Sequence, residues 1–517
     1  MKVTSGRKVF IGFLVGVVLC GCRALAPGGE SVSLAGVGFV KPTLVPSPKS
    51  ATYRLDRTFA LDEGFPLAVG CPETGAPEWI ASHARVWFGV TPRVTASAAS
   101  SVSEDEGFEL SVDECGVRVS AKRLIGVKYA LYAFRQMAVP CRGVAKTTGW
   151  ETPYAKIADA PKMKWRGFHF CGTAKFSAKD IEHYLRMAAY YRYNYFVLED
   201  HGGFKYEKTP WYSFPDATIT MTEIRRLKTI ADDLGIALVP AINCYGHSAK
   251  AFEGGYVHVA LDKHPELQPL FEPDYGWNWC VTNPETRKAV KGLLAELMEA
   301  FGNPKYVHLG FDEAHPPSCR NCAKGEWHRH VADYLGDLAG FLRDRGATAM
   351  VWHDQFLRKD DDRWKGFVHE GGAHADELLA AIPKDVVICD WYYNDGLDDY
   401  PTLTYFREKG FRVFTSPWGA VSSWASQKNG GGFTQVAWAA EHGFDGALAT
   451  TWGVCDREDR DREFLTADFM WGYPFKAAKN YLTHSNDWRW THRYVATHWR
   501  QVGWDMQKGK RGGKDER

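Results

Sequence analysis

The chain is predicted to be an α/β protein: a parallel (β/α)8 TIM barrel preceded by a small α+β domain. Three observations predict it. From Lys164 onward a strand-then-helix rhythm recurs eight times. Each strand candidate is apolar on both faces, as a parallel strand covered on both sides must be. The segment upstream lacks that rhythm and carries a hairpin with two helices.

In chain order, Met1 to about Gly21 has the layout of an export signal. Lys2, Arg7 and Lys8 precede an apolar run, Val9 to Leu19, that is too short for a comfortable membrane span. Leu19-Cys20-Gly21-Cys22 resembles the bacterial lipobox, in which the last Cys is lipidated and becomes the new N-terminus. An ordinary secretory signal cut nearby is the competing reading. Residues 22–43 then read as a small-residue tether, and the expected location is the cell envelope, lipid-anchored at the outer membrane or periplasmic face, with secretion as the alternative.

Residues 44–150 read as the α+β support domain. Gly107 to Val112 alternates apolar and polar, Asp113-Glu114-Cys115-Gly116 turns, and Val117 to Ser120 alternates again, which is a hairpin. Glu78–Phe88 and Leu124–Met137 have helical spacing, the second with Leu124, Val127, Leu131 and Phe134 on one face.

The barrel is expected over residues 160–480. Its strand candidates are Arg166–Cys171, Asn194–Glu199, Ile236–Asn243, Tyr306–Phe311, Thr348–His353, Val386–Trp391, Phe411–Ser416 and Gly446–Trp452. Helical stretches such as Ala178–Tyr191, Thr222–Leu234, Glu285–Phe301 and His328–Arg345 lie between them. Residues 481–517 read as an aromatic-rich helix, Trp488–Trp504, and a basic tail.

In this architecture the strand C-termini converge on the active site. Those ends carry Glu199-Asp200, Asn243 with Gly246-His247, Asp312-Glu313, Trp352-His353-Asp354, Trp391-Tyr392-Tyr393, Trp418 and Trp452. The pair Asp312-Glu313 is the most informative. Neighbouring side chains on an extended backbone point to opposite faces, so both serve one site only where the strand turns into a loop. Two acids there suit acid/base work on a glycoside, one protonated and one ionised. The 20 tryptophans fit that reading, since a flat indole matches the C–H face of a sugar ring. A net charge of +1 gives no electrostatic case for nucleic acid.

Beyond Cys22 the cysteines are scattered, and Cys319-x-x-Cys322 is the one close pair. His315 and His328 lie near it, but no second CxxC completes a zinc site, so a disulfide or free thiols is the reading; no metal and no cofactor is expected.

These residues resemble the family 20 glycoside hydrolases, the β-N-acetylhexosaminidases. The resemblance rests on Trp165-Arg166-Gly167, Val239-Pro240 with Gly246-His247, His308-x-Gly310-x-Asp312-Glu313 and Trp352. Details such as Cys319-x-x-Cys322, Trp352-His353-Asp354 and Ser416-Pro417-Trp418 are closest to the hexosaminidase D branch. The resemblance implies an exo-acting, retaining hydrolase of terminal β-linked N-acetylhexosamine, in which the substrate's own acetamido oxygen is the nucleophile. Glu313 would be the general acid and base, and Asp312 would steady the acetamido N–H. Tyr393 would hold the acetamido oxygen, with Tyr392 the fallback.

His247 would orient Glu313 through Glu199 or Asp200, against the reading of a structural histidine. Arg166 would grip sugar hydroxyls, against a barrel-floor ion pair. Trp352, Trp391 and Trp452 would wall the acetamido pocket, and Asp354 would lie among the sugar contacts. The departures are Cys171 for a frequent Asp, Pro240-Ala241-Ile242-Asn243 for Pro-Glu-Ile-Asp, and Gly-Phe-Asp-Glu for Gly-Gly-Asp-Glu. Two competing readings remain: a non-catalytic sugar-binding lipoprotein on a degenerate barrel, and a glycosidase pairing Glu313 with Glu199 or Asp354 in the conventional two-carboxylate way.

Overall fold

The computed structural model describes residues 41–73, 75–98, 101–141, 149–249, 258–273, 275–323, 326–364, 372–392, 398–418, 432–452 and 463–476, with the two-residue strands Ala24–Leu25 and Ser31–Val32 before them. The signal segment with Cys22, Tyr393 and the C-terminal helix and tail lie outside the described residues.

Residues 50–159 form a seven-stranded mixed sheet, in the order Ser50–Leu61, Trp150–Asp159, Phe108–Asp113, Gly116–Ala121, Pro66–Gly70, Arg93–Ala96, with Val139–Pro140 beside Trp150–Asp159. The hairpin expected from the alternating pattern is there, Phe108 facing Ala121 and Asp113 facing Gly116. Helices Ala76–Phe88 and Leu124–Met137 cover one face. The second helix is buried nearly all round rather than along one stripe. A helix apolar or buried on every side needs a second partner, and here the barrel is that partner. Gln136 Nε2 donates to the Tyr190 carbonyl at 3.4 Å, and Trp79 Nε1 donates to the Asp233 carbonyl at 3.0 Å.

The eight parallel strands close into a barrel: Trp165–Phe170, Tyr195–Glu199, Ala237–Ala241, Tyr306–His308, Thr348–Trp352, Val387–Asp390, Arg412–Thr415 and Gly446–Ala449, the last pairing with the first. Helices follow them at Ala178–Tyr190, Met221–Leu234, Pro284–Ala300, Trp327–Arg343, Ala375–Ala381, Pro401–Glu408, Phe433–Glu441 and Thr466–Trp471. Their starts follow from local sequence. Ser177 with Asp180, and Thr220 with Glu223, are capping boxes in which side chain and backbone satisfy each other's otherwise orphaned donors. The strands stop earlier than their apolar runs suggest. The fourth ends at His308 because Gly310 (φ 71°) and Phe311 (φ 79°) are left-handed, which turns the chain out of the ladder before the acids.

Alternation along each strand divides the core in two. Trp165, Val197, Val239, Met350, Trp352 and Leu448 fill the barrel interior, and Trp165 stacks between Tyr195 and Phe414, each at 4.5 Å. The opposite faces, with Phe168, Phe170, Phe196 and Leu198, join the helices in a larger apolar layer. Strand parity therefore decides which polar side chains can reach the mouth.

Candidate active site

At the mouth, Asp312 and Glu313 do meet at one place. Glu313 is itself left-handed (φ 47°), so the two carboxyls are not thrown to opposite faces as on a regular strand. His247, also left-handed (φ 52°), bridges them: its Nε2 lies 3.1 Å from Glu313 Oε2 and 3.5 Å from Asp312 Oδ2. Two glycines permit this approach. A side chain on Gly246 would strike the Asp312 carbonyl oxygen and sit 3.0 Å from the Ala314 backbone, and one on Gly310 would strike the Asn243 side chain.

The backbone of Glu313 is held from both sides. Its N–H donates to Asp354 Oδ2 at 2.8 Å, and its carbonyl accepts from Trp277 Nε1 at 2.9 Å. The Trp277 ring lies 4.4 Å from the His247 ring. The side chain of Glu313 is 38% exposed, whereas that of Asp312 is 11% exposed. Asp312 Oδ1 is buried with no hydrogen-bond partner among the described residues.

Electrostatics divide the labour. Burial pushes Asp312 up to about 6, against the His247 charge that lowers it, with Glu199 and Glu313 adding to the rise. Burial alone would lower His247, but Asp312 and Glu313 outweigh it and push the imidazole up to about 9, so it is a cation at neutral pH. Burial, then the Asp312 charge, pushes Asp354 up to about 8, so it is protonated at neutral pH.

Beneath the acids, Glu199 accepts from His169 Nε2 at 2.7 Å and from Asn243 Nδ2 at 3.1 Å. The Thr451 N–H donates to His169 Nδ1 at 3.3 Å, which assigns the ring proton to Nε2. Burial would raise Glu199, but His169 outweighs it and holds the carboxyl at about 2. His308 accepts the Gly310 N–H on Nδ1 at 3.1 Å, and burial lowers it to about 3, so it is neutral. Its Nε2 is buried without a partner among the described residues, its ring 4.1 Å from that of Trp352.

Several expected sugar contacts are corrected. Arg166 is not at the mouth. It is the second residue of its strand and has the outward parity, opposite to Trp165 and His169, so it points to the floor beneath the support domain. There its guanidinium donates to both oxygens of Glu106 at 2.7 and 3.0 Å, to Tyr129 Oη at 2.9 Å, and to the Met163 and Arg192 carbonyls at 2.7 and 3.1 Å. The floor ion pair is what Arg166 makes. Asp200 is fully buried, accepting from Tyr206 Oη at 2.7 Å and the Phe204 N–H at 3.3 Å. Neither it nor Glu199 links to His247 by a described hydrogen bond; His247 reaches Glu313 directly. Asp354 is fully buried under the Glu313 backbone, out of reach of a sugar.

The aromatic wall is partly in place. Trp352 and Trp452 lie 5.4 Å apart, each beside His169, and Trp452 is the more open. Trp391 caps the interior and packs edge-on against His353 at 5.2 Å, while its backbone N–H donates to His353 Nδ1 at 3.2 Å. Tyr392 belongs to the outer, helix-side layer, so its parity removes it as the fallback clamp. The residues that sequence reasoning missed are Trp277 and His169, while Asn243 was placed at the rim without a role. His169 was legible, since it shares the inward parity of Trp165; Trp277 sits in a loop where only its aromatic neighbourhood gave a signal.

An eight-stranded barrel whose mouth holds one open acid, one buried acid and a bridging imidazolium has the make-up of a glycosidase, the class to which its family match assigns it. Residues 163–455 match the family model for the catalytic domain of glycosyl hydrolase family 20. The chain belongs to that family. It is 24% identical over 441 residues to the β-hexosaminidase of Vibrio furnissii, covering 78% of this chain and 67% of that protein. It is also 24% identical over 435 residues to the lacto-N-biosidase of Bifidobacterium bifidum, covering 75% of this chain but 35% of that one. Among solved structures, the family 20 β-N-acetylhexosaminidase of Streptomyces coelicolor superposes with a TM-score of 0.64 at 18% identity, covering 91% of this chain and 99% of that one. The Flavobacterium johnsoniae chitobiase gives 0.64 and 18% over 89% and 73%.

Proposed function

We propose that the chain removes terminal β-linked N-acetylhexosamine, GlcNAc or GalNAc, from the end of a glycan, with retention and with the substrate's acetamido group as nucleophile. One observation carries this reading. Of the carboxyls at the described mouth, Glu313 is the most open, and Asp312 beside it is largely covered with one oxygen left without a hydrogen-bond partner. Glu199 and Asp354, the partners a conventional two-carboxylate mechanism would need, are committed to His169, Asn243 and the Glu313 amide. This supports a nucleophile supplied by the sugar, the family's recognised exception to the two-carboxylate spacing.

In this mechanism the acetamido oxygen attacks the anomeric carbon as the bond to the leaving oxygen breaks. Glu313 gives its proton to that oxygen. Asp312, ionised, accepts the acetamido N–H and stabilises the positive charge of the oxazolinium. Water then attacks the anomeric carbon, Glu313 takes its proton, and the acetamide reforms. His247 holds both carboxyls in register. Tyr393, assigned by the W-x-Y resemblance, would hold the acetamido oxygen against Trp352, Trp391 and Trp452.

The test is release of aryl alcohol from aryl β-GlcNAc, β-GalNAc and β-glucoside, with and without a thiazoline mimic of the intermediate. Hydrolysis confined to acetamido sugars and inhibited by the thiazoline is expected; equal turnover of the glucoside overturns the reading. We also propose that Cys22 carries a lipid anchor at the cell envelope. Among the described residues no helix is long and apolar enough to cross a membrane. Cys22→Ser should move the protein from the detergent phase to the aqueous phase in a detergent partition; an unchanged distribution excludes the anchor.

A further inference from the structure

Behind the acid pair, three thiols and a carboxylate converge from two loops. Cys280 Sγ lies 3.7 Å from Cys319 Sγ and 3.6 Å from Cys322 Sγ, and with a Glu272 oxygen all four donor atoms lie within 4.8 Å of one another. Cys280, Cys322 and Glu272 are buried. Glu272 Oε2 accepts the Ser318 and Cys319 amides at 2.9 and 2.6 Å, while Oε1 is buried without a hydrogen-bond partner among the described residues. The Cys322 N–H donates to Cys319 Sγ at 3.2 Å, and the Thr282 hydroxyl lies 3.1 Å from Cys322 Sγ.

We propose that Cys280, Cys319, Cys322 and Glu272 bind one structural zinc ion. A tetrahedral zinc with Zn–S bonds of about 2.3 Å sets its sulfurs about 3.8 Å apart, close to the separations here. A disulfide would use two sulfurs and gives no reason for a third, or for a buried carboxylate oxygen beside them. Soft thiolates select zinc over the hard cations. On binding, the three thiols lose their protons; the Cys322 amide and the Thr282 hydroxyl then donate to anionic sulfur, as ligands of a closed site require. The set departs from the sequence expectation in its partners. His315 stacks on Trp277 and His328 stacks on His374, so neither joins the cluster; the ligands that do come from 39 and 47 residues upstream of Cys319.

The role is positional. The two loops that the ion would join also meet at the catalytic end, where Trp277 holds the Glu313 carbonyl and Asn278 Nδ2 donates to the His315 carbonyl at 2.6 Å. The zinc would therefore pin the loop that carries the general acid, without touching substrate. This inference stands whether or not the sugar assigned above is right.

The test is elemental analysis of the purified full chain under reducing conditions. About one zinc per chain is expected, released when a mercurial titrates the thiols. Cys280→Ser and Cys322→Ser should lose the metal, whereas Cys115→Ser, at an exposed position far off in the hairpin, should keep it. A strong chelator should lower the melting temperature of the native chain, and re-added zinc should restore it. Should a Cys variant fail to fold, the native chain still decides. Iron in place of zinc, no metal after zinc supplementation, or a disulfide between any two of the three cysteines overturns the proposal.

Discussion

The two ends of the barrel bury charge in opposite ways. At the floor, Arg166 is fully enclosed and every direction of its guanidinium finds an acceptor: Glu106, Tyr129 and two carbonyls. At the mouth, among the described residues, Asp312 keeps an oxygen without a partner, His308 keeps an unpartnered nitrogen, and two carboxyls share one imidazolium. Buried polar groups left short cost stability, and a fold retains them where a ligand supplies the missing partner. Around Arg166 the floor is finished, although the neighbouring Arg192 keeps Nε and Nη2 without partners among the described residues; the mouth is completed by substrate.

The largest expected break in that contrast is Glu313→Gln. It should lower kcat/KM about 10²–10⁴-fold on substrates with sugar leaving groups, with little change in melting temperature, because its side chain is partly open and the amide keeps an oxygen for His247. A loss of stability instead would mean the mouth is as structural as the floor. Glu106→Ala should do the reverse. Removing the partner of a buried charge costs up to about 3 kcal/mol here, the lower end of the usual range because Arg166 keeps its other acceptors. Denaturant unfolding should show that loss, while kcat per folded molecule stays the same.

The pH profile sharpens the comparison next. Asp312, raised to about 6, must be ionised to stabilise a developing cation, so kcat/KM should fall as pH drops through about 6. Asp312→Asn should abolish that limb and slow turnover about 10²-fold; a limb that survives the substitution belongs to another group. The smallest effect is expected at Asp354, whose folded pKa is raised to about 8. A carboxyl raised on folding adds stability that is full below its unfolded pKa and is lost as pH climbs through the folded value. Asp354→Asn keeps an acceptor for the Glu313 N–H, so stability should become flatter between about pH 4 and 8 while activity changes only slightly.

The recurrence of apolar runs made the barrel legible, because all eight strands bury both faces and helical spacing recurs between them. Strand ends were not legible. The fourth run continues through Leu309 and Phe311, yet the ladder stops at His308, since the turn is imposed by backbone angles that an apolar pattern does not encode. The same gap misplaced Arg166. Its chemistry suited a diol, but its position at the start of a strand and its outward parity set it at the other end of the barrel. Asp312, Glu313 and His247 were readable because short loops after strands must lie at the mouth. Glu272 and Cys280 were not, because what joins them to Cys319 and Cys322 is the packing of two loops and not spacing along the chain.

Gly246 carries no functional group, yet the site depends on it. Any larger residue there would push the third loop away from the Asp312 carbonyl and carry the neighbouring imidazole with it. A catalogue of reactive side chains would pass over this position, while a saturation screen for turnover should find it about as intolerant as the acids. Here an empty volume lets two chain segments act as one tool.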